Sequence, residues 1–153
     1  MSRRDQIRMT DEEVDAFLRE GKTLNVATKG PGDRIHLVAM WYGYFADGGL
    51  GFWTYGKSQK IVNLRRDPTM TGLVETGTEY DKLRGVELIG RGIVVDDRDE
   101  IMQIGESVWE RYTGPVDDGA RQALAVVGAK RLAVRFEIDE IVSWDHTKLG
   151  GSY

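Results

Sequence analysis

The 153-residue chain contains no cysteine and only two histidines. Without cysteine there is no disulfide, no thiol nucleophile and no thiolate metal site, which suits a cytoplasmic protein. The two histidines, His36 and His146, lie far apart in the chain. With Asp145 they supply only a chance 2-His-1-carboxylate set, so no metal is expected. No apolar run approaches the ~20 residues needed to span a bilayer. The opening MSRRDQIRMTDEE lacks the apolar core of a signal peptide. A net charge of −4 and a sequence pI of about 5.3 exclude bulk attraction to nucleic acid or to an anionic membrane. Repeats, low-complexity segments and linkers are also missing, and one domain spanning 1–153 is expected.

One further absence is local. No acidic residue occurs between Gly48 and Arg66, a run that takes in most of the stretch FWTYGKSQKIVNLRRDP from Phe52 to Pro68. Its first part alternates like a half-buried strand. Gly56 breaks that strand, Ser58 is a natural N-cap, and a helix is expected over Gln59 to Arg66. Asp67-Pro68 ends it, since a residue before proline is pushed out of the α region. A helix N-terminus carries partial positive charge and favours acids. Here Lys57 and Lys60 stand in their place. Free backbone N–H groups, a hydroxyl and two ammonium groups then converge as they do around a phosphate. The alternative is a solvated basic helix with a plain serine cap. Arg65 and Arg66 at the far end satisfy the helix dipole without any ligand.

The rest of the chain reads as short strands with helices at the ends. Thr10 and Glu13 form a capping box for an N-terminal helix that stops at Gly21, with Val14, Phe17 and Leu18 as its apolar stripe. Strands are expected at Leu24 to Thr28, Arg34 to Phe45, Leu50 to Tyr55, Thr69 to Thr76, Gly85 to Val95 and Arg131 to Ile138. Helices are expected at Asp99 to Tyr112 and Ala120 to Ala129. The tail, 143–153, has no periodicity. Six mainly antiparallel strands with peripheral helices make a mainly β (α+β) barrel. Gly90-Arg91-Gly92 lies mid-strand, which argues against a dinucleotide-binding turn. His36 shares a strand face with Val38 and Met40 and reads as a satisfied barrel histidine. Trp41, Tyr42, Tyr44 and Phe45 read as core and interface aromatics.

FWT followed by S-x-K, an apolar helix and a pair ending in proline resembles the pyridoxamine 5'-phosphate oxidase-like, flavin-binding split-barrel superfamily. GDRIHLVAMWYGYF resembles its second strand and VELIGRG its strand after the helix, in order from Leu24 to Val95. The ending SWDHTKLGGSY resembles a subgroup usually assigned to the deazaflavin coenzyme F420. The resemblance implies a homodimeric split barrel with cofactor sites at the interface. Ser58 and Lys60 would hold the cofactor phosphate with Gln59 nearby, beside Lys57. Trp53 and Thr54 would lie against the ring, and Val38, Ala39 and Met40 would floor its site. Lys57, Arg65, Arg66 and Lys148 would answer an acidic cofactor tail. Trp144 and His146 would close over the cofactor or dock on a partner subunit.

The chain departs from pyridoxamine phosphate oxidases in two places. The second strand ends Met40-Trp41-Tyr42 without their lysine, and His146 has no neighbouring arginine. Vitamin B6 oxidation is therefore not expected, and the resemblance of the tail implies an F420-dependent oxidoreductase or reductase passing hydride to a small conjugated molecule. An FMN-dependent oxidoreductase and a non-catalytic flavin or deazaflavin carrier are the alternatives.

Overall fold

The computed structural model describes residues 2–151. Two short helices open it, α1 (Arg3–Ile7) and α2 (Asp11–Glu20). The Thr10 hydroxyl accepts from the Glu13 amide at 3.2 Å, and the Glu13 carboxylate accepts from the Thr10 amide at 2.7 Å. This is the expected capping box. Val14, Phe17 and Leu18 are buried by α2. Seven strands follow: β1 (Leu24–Lys29), β2 (Ile35–Met40), β3 (Gly43–Tyr44), β4 (Leu50–Tyr55), β5 (Thr69–Thr76), β6 (Arg84–Val95) and β7 (Arg131–Asp145). Helix α3 (Gln59–Arg66) joins β4 to β5. Helices α4 (Arg98–Tyr112) and α5 (Asp118–Gly128) stand between β6 and β7. The strands form one antiparallel sheet in the order β2-β1-β5-β6-β7-β4-β3, curled into a split half-barrel.

The sheet has seven strands where six were expected, because the long second strand breaks after Met40. The Tyr42 peptide turns away from the ladder: its N–H donates to the Tyr112 hydroxyl at 3.2 Å and its carbonyl accepts from Arg111 Nε at 2.9 Å. Arg111 also donates to the carbonyls of Arg19 and Gly21, so one guanidinium ties α4 to the end of α2 and to this break. The last strand is longer than expected. It runs to Asp145, past a bulge opposite Ile89 and Gly90, and takes in the first three residues of the tail.

Alternation along the strands divides the core in two. Inside the barrel, Leu24, Val26, Phe52, Met70, Val86, Leu88, Val134 and Phe136 pack together, and Ile61 and Leu64 of α3 plug the open end. Gly92 allows that plug, because a Cβ there would sit 2.9 Å from Leu64. The glycine of the mid-strand G-R-G thus serves packing. On the outer face, Phe45, Trp53 and Ala133 lie beneath Ile101 and Ile104 of α4 and Leu124 of α5. These helices cover the outer face only at the β4 end. At the β2 end Ile35 and Leu37 remain 67% exposed.

The contact between α4 and the sheet generates a stability prediction. A Cβ on Gly105 would lie 2.7 Å from the Trp53 indole, whereas one on Gly119 of α5 would meet nothing closer than 3.4 Å. In urea unfolding, Gly105→Ala should cost about 1–3 kcal/mol through overpacking. Gly119→Ala should be neutral or stabilising by up to about 1 kcal/mol.

Candidate functional site

Helix α3 begins where it was expected, with Ser58 as N-cap, but the Ser58 side chain does not cap it. Its hydroxyl instead accepts a long hydrogen bond from Thr54 Oγ1, at 3.4 Å. The carbonyl of Ser58 takes the Ile61 and Val62 amides. The amides of Gln59 and Lys60 find no acceptor among the described residues. A helix start with open N–H groups presents the positive end of its dipole outward.

Lys60 lies within this first turn and is 8% exposed. Helical spacing forces the burial: Ile61 and Leu64 fill the barrel end, and Lys60 goes in beside them. Its Nζ donates to Thr54 Oγ1 at 3.0 Å, leaving two of three N–H bonds without a protein acceptor. Burial holds the Lys60 ammonium below its ordinary pKa of 10.5, and the charge of Arg131 lowers it further. Beside it, exposed Gln59 donates to Asn63 Oδ1 at 2.8 Å, and buried Asn63 donates to Thr28 Oγ1 at 3.0 Å. Among the described residues the buried polar side chains are Thr28, Thr54, Lys60, Asn63 and Asp145. Four of the five belong to this network around α3.

The structure therefore brings Thr54, Ser58, Gln59 and Lys60 together. Lys57 is exposed and points to a cleft on the other side of the β4–α3 connection. Trp53 and Thr54 alternate, so the Trp53 indole packs under α4 and α5 and only its backbone borders the cradle. Val38, Ala39 and Met40 are on edge strand β2, with four strands between it and β4 along the sheet. The start of β2 does approach α3: Ile35 and His36 share a cleft of about 340 Å³ with Arg34 and Gln59. His36 is not a satisfied barrel histidine, for its buried Nδ1 has no hydrogen-bond partner among the described residues.

Other candidates are occupied elsewhere. Lys148 donates to Glu13 at 2.5 Å and to the Arg8 carbonyl at 2.8 Å. Arg66 donates to the Lys29 carbonyl at 2.6 Å. Trp144 packs against Gly85 on the outer face, and His146 stacks edge-on against Tyr80 at 4.9 Å. No group of residues able to hold a metal is present among the described residues.

Arg131 was not anticipated. It opens β7, directly opposite Tyr55 in register, and its guanidinium lies 4.9 Å from the Trp53 ring centre and 4.5 Å from that of Tyr55. In the sequence it is only the second of a Lys-Arg pair and the first residue of an expected strand.

A split antiparallel barrel with a basic, acid-free helix start set over its open end defines a class, the pyridoxamine 5'-phosphate oxidase-like flavin-binding fold. The chain belongs to the pyridoxamine 5'-phosphate oxidase family, whose sequence profile matches residues 10–145. It is 41% identical to the conserved hypothetical protein Rv2991 from Mycobacterium tuberculosis, with a TM-score of 0.93 over 100% of this chain and 95% of that one. An F420 reductase shares the fold at 22% identity and TM-score 0.62, covering 83% of this chain and 94% of the other. The heme storage protein HutZ from Vibrio cholerae does so at 14% identity and TM-score 0.67, covering 87% and 94%. No curated protein matches significantly.

The buried ammonium gives a pH prediction. Lys60 holds its proton more weakly in the folded chain than in the unfolded one. Its charge therefore opposes folding at neutral pH, and stability rises as the pH climbs from the folded pKa towards 10.5. Anion binding needs the protonated form and runs the other way. Sulfate affinity, followed by calorimetry, should fall in the alkaline range below pH 10.5, and Arg131→Gln should move that fall to higher pH.

Proposed function

We propose that the protein binds a flavin-type cofactor by its phosphate at the start of α3 and works as an F420-dependent oxidoreductase on a small conjugated molecule. The observation that carries this reading is the Thr54–Ser58–Lys60 cluster, with two open amides and a buried ammonium that no carboxylate neutralises. That donor set fits a phosphate monoester: several N–H donors and one fixed positive charge, without competition from an acid. Bound there, the cofactor supplies the hydride chemistry. The protein binds and orients it. Ser58, Lys60 and the Gln59 and Lys60 amides hold the phosphate. The Asn63–Thr28 relay fixes Gln59 beside it and the Trp53–Thr54 backbone borders the ring, while the floor that the family resemblance assigns to Val38, Ala39 and Met40 lies on the edge strand β2 of the single chain. Lys57 stands across the β4–α3 connection, in the neighbouring cleft.

The C-terminal resemblance and the F420 reductase of the same fold favour the deazaflavin. FMN is the second reading, favoured by the resemblance to flavin-binding split barrels. Oxidation of pyridoxamine phosphate is disfavoured, because β2 ends without a lysine and His146 is engaged with Tyr80. A heme storage protein on the same fold shows why a carrier role has to be tested by turnover with an added acceptor.

The working unit in this reading is a homodimer with cofactor sites at its interface. In the sheet register, Leu37, Ala27, Thr71 and Ile89 form one outward row and Ala39, Asn25, Leu73 and Glu87 the next. Exposed Ile35, Leu37 and Trp41 lie along the same edge. An apolar sheet face with an open edge strand is a surface that soluble proteins normally cover. Sedimentation should give twice the 17.2 kDa chain mass, and Leu37→Glu should shift the equilibrium to monomer. A wild-type monomer would contradict the interface sites.

Fluorescence titration with FMN and with F420 at two salt concentrations tests the cofactor. Tighter, salt-sensitive F420 binding is expected. Lys60→Ala should weaken it by about 1.5–3 kcal/mol, the worth of a charge-assisted hydrogen bond. Lys82→Ala, which removes only an exposed pair with Glu79, should change nothing. Equal effects of the two substitutions would remove the phosphate assignment.

A further inference from the structure

Beside the cradle lies a cleft of about 680 Å³ between the β4–α3 and α5–β7 connections. Its walls are Tyr55, Gly56, Ala129 and Leu132, and its cations are Lys57, Arg98, Lys130 and Arg131. No carboxylate lines it. Several cations elsewhere do pair with acids: Arg19 with Asp15, Lys29 with Asp67, Arg84 with Asp145, Arg135 with Asp47 and Glu100. Lys57, Lys130 and Arg131 make no ion pair and no side-chain hydrogen bond among the described residues.

Arg131 is the informative member. Arg98 grips the segment from outside, donating to the Gly128 carbonyl at 3.0 Å and the Arg131 carbonyl at 2.8 Å. The Trp53 and Tyr55 rings hold the guanidinium by its faces. Trp53 is itself held beneath α4 and α5. The group is thus fixed in place while its donors stay unused, and its buried Nε has no acceptor among the described residues. A buried donor left unsatisfied is unfavourable unless something else supplies the acceptor. A planar fork of donors matches a carboxylate.

We propose that this cleft is a second anion subsite, which takes a carboxylate carried on an apolar or aliphatic body. Arg131 and Lys130 bind the carboxylate, while Tyr55, Ala129 and Leu132 cover the body. As a carboxylate site it stands on the cleft alone. Its role rests on the oxidoreductase reading, where the carboxylate comes from the hydride acceptor or from the acidic tail of a deazaflavin whose phosphate lies across Lys57.

The test is calorimetry on the full-length protein at low salt, with cinnamate as an aromatic carboxylate and γ-linked triglutamate as the tail. The variants are Arg131→Gln and Lys130→Glu, with Lys82→Ala as control. Lys130 is exposed, so its variant remains informative if Arg131→Gln folds poorly. At least one probe should bind with one site per chain, and both variants should weaken it about tenfold or more. Lys82→Ala should leave it unchanged, and salt should weaken it. Binding of cinnamate assigns the cleft to the acceptor, and binding of triglutamate alone assigns it to the tail. Binding of neither probe, or binding that both variants leave intact, overturns the proposal. If F420 and FMN fail to bind while a carboxylate still does, the cofactor reading falls and the subsite stands. If a cofactor binds and neither carboxylate does, the subsite alone falls.

Discussion

The ammonium group of Lys60 is buried at the end of the barrel with one hydroxyl as its partner and no carboxylate within reach. An isolated charge in such a place works against folding unless it is paired. The helix that carries it cannot turn away, because Ile61 and Leu64 on the same helix close the hydrophobic core. Apolar packing therefore fixes a positive charge where water is scarce, and the fold bears the cost. The surrounding polar network follows from this position. Thr54 takes one N–H of Lys60, Ser58 gives up capping to meet Thr54, and the Asn63–Thr28 bond locks the helix onto β1. Two backbone amides are left open on the same side.

Charge is segregated along the molecule in keeping with this. The protein is acidic overall, yet net charge describes the distant field and says little about a single site. Several acids pair with arginines or lysines away from the start of α3, at the β3–β4 turn, at the end of β7 and along α2. The segments on either side of β4 and β7 retain cations without partners. The local potential at this end is set by exposed Lys57 and Lys130 together with Lys60 and Arg131, and it is screened least around the two that burial desolvates.

Much of the architecture was legible from local pattern. The bounds of α3 follow from Gly56, Ser58 and Asp67-Pro68, and the start of α2 from Thr10 and Glu13, because capping and proline sterics act within a few residues. The antiparallel sheet followed from alternation and short turns. What could not be read locally was the break after Met40. Its cause is the pair Arg111–Tyr112, about seventy residues on, which takes over the hydrogen bonds of the Tyr42 peptide. The extension of β7 to Asp145 was hidden in the same way, since a bulge interrupts the alternation that marks a strand.

For the site the division is similar. Composition and spacing determined that Lys57, Ser58 and Lys60 share a helix start without acids, because helix geometry is local and an acid-free run of residues can be counted. Tertiary structure alone decided which of them is buried, that Ser58 serves Thr54 in place of its own helix, and that Arg131 joins the group. Arg131 arrives through the antiparallel register of β4 with β7, which places it opposite Tyr55 and over Trp53. Register is fixed by the burial of whole strand faces, and a faceful of contacts between segments some eighty residues apart leaves no mark on either segment by itself.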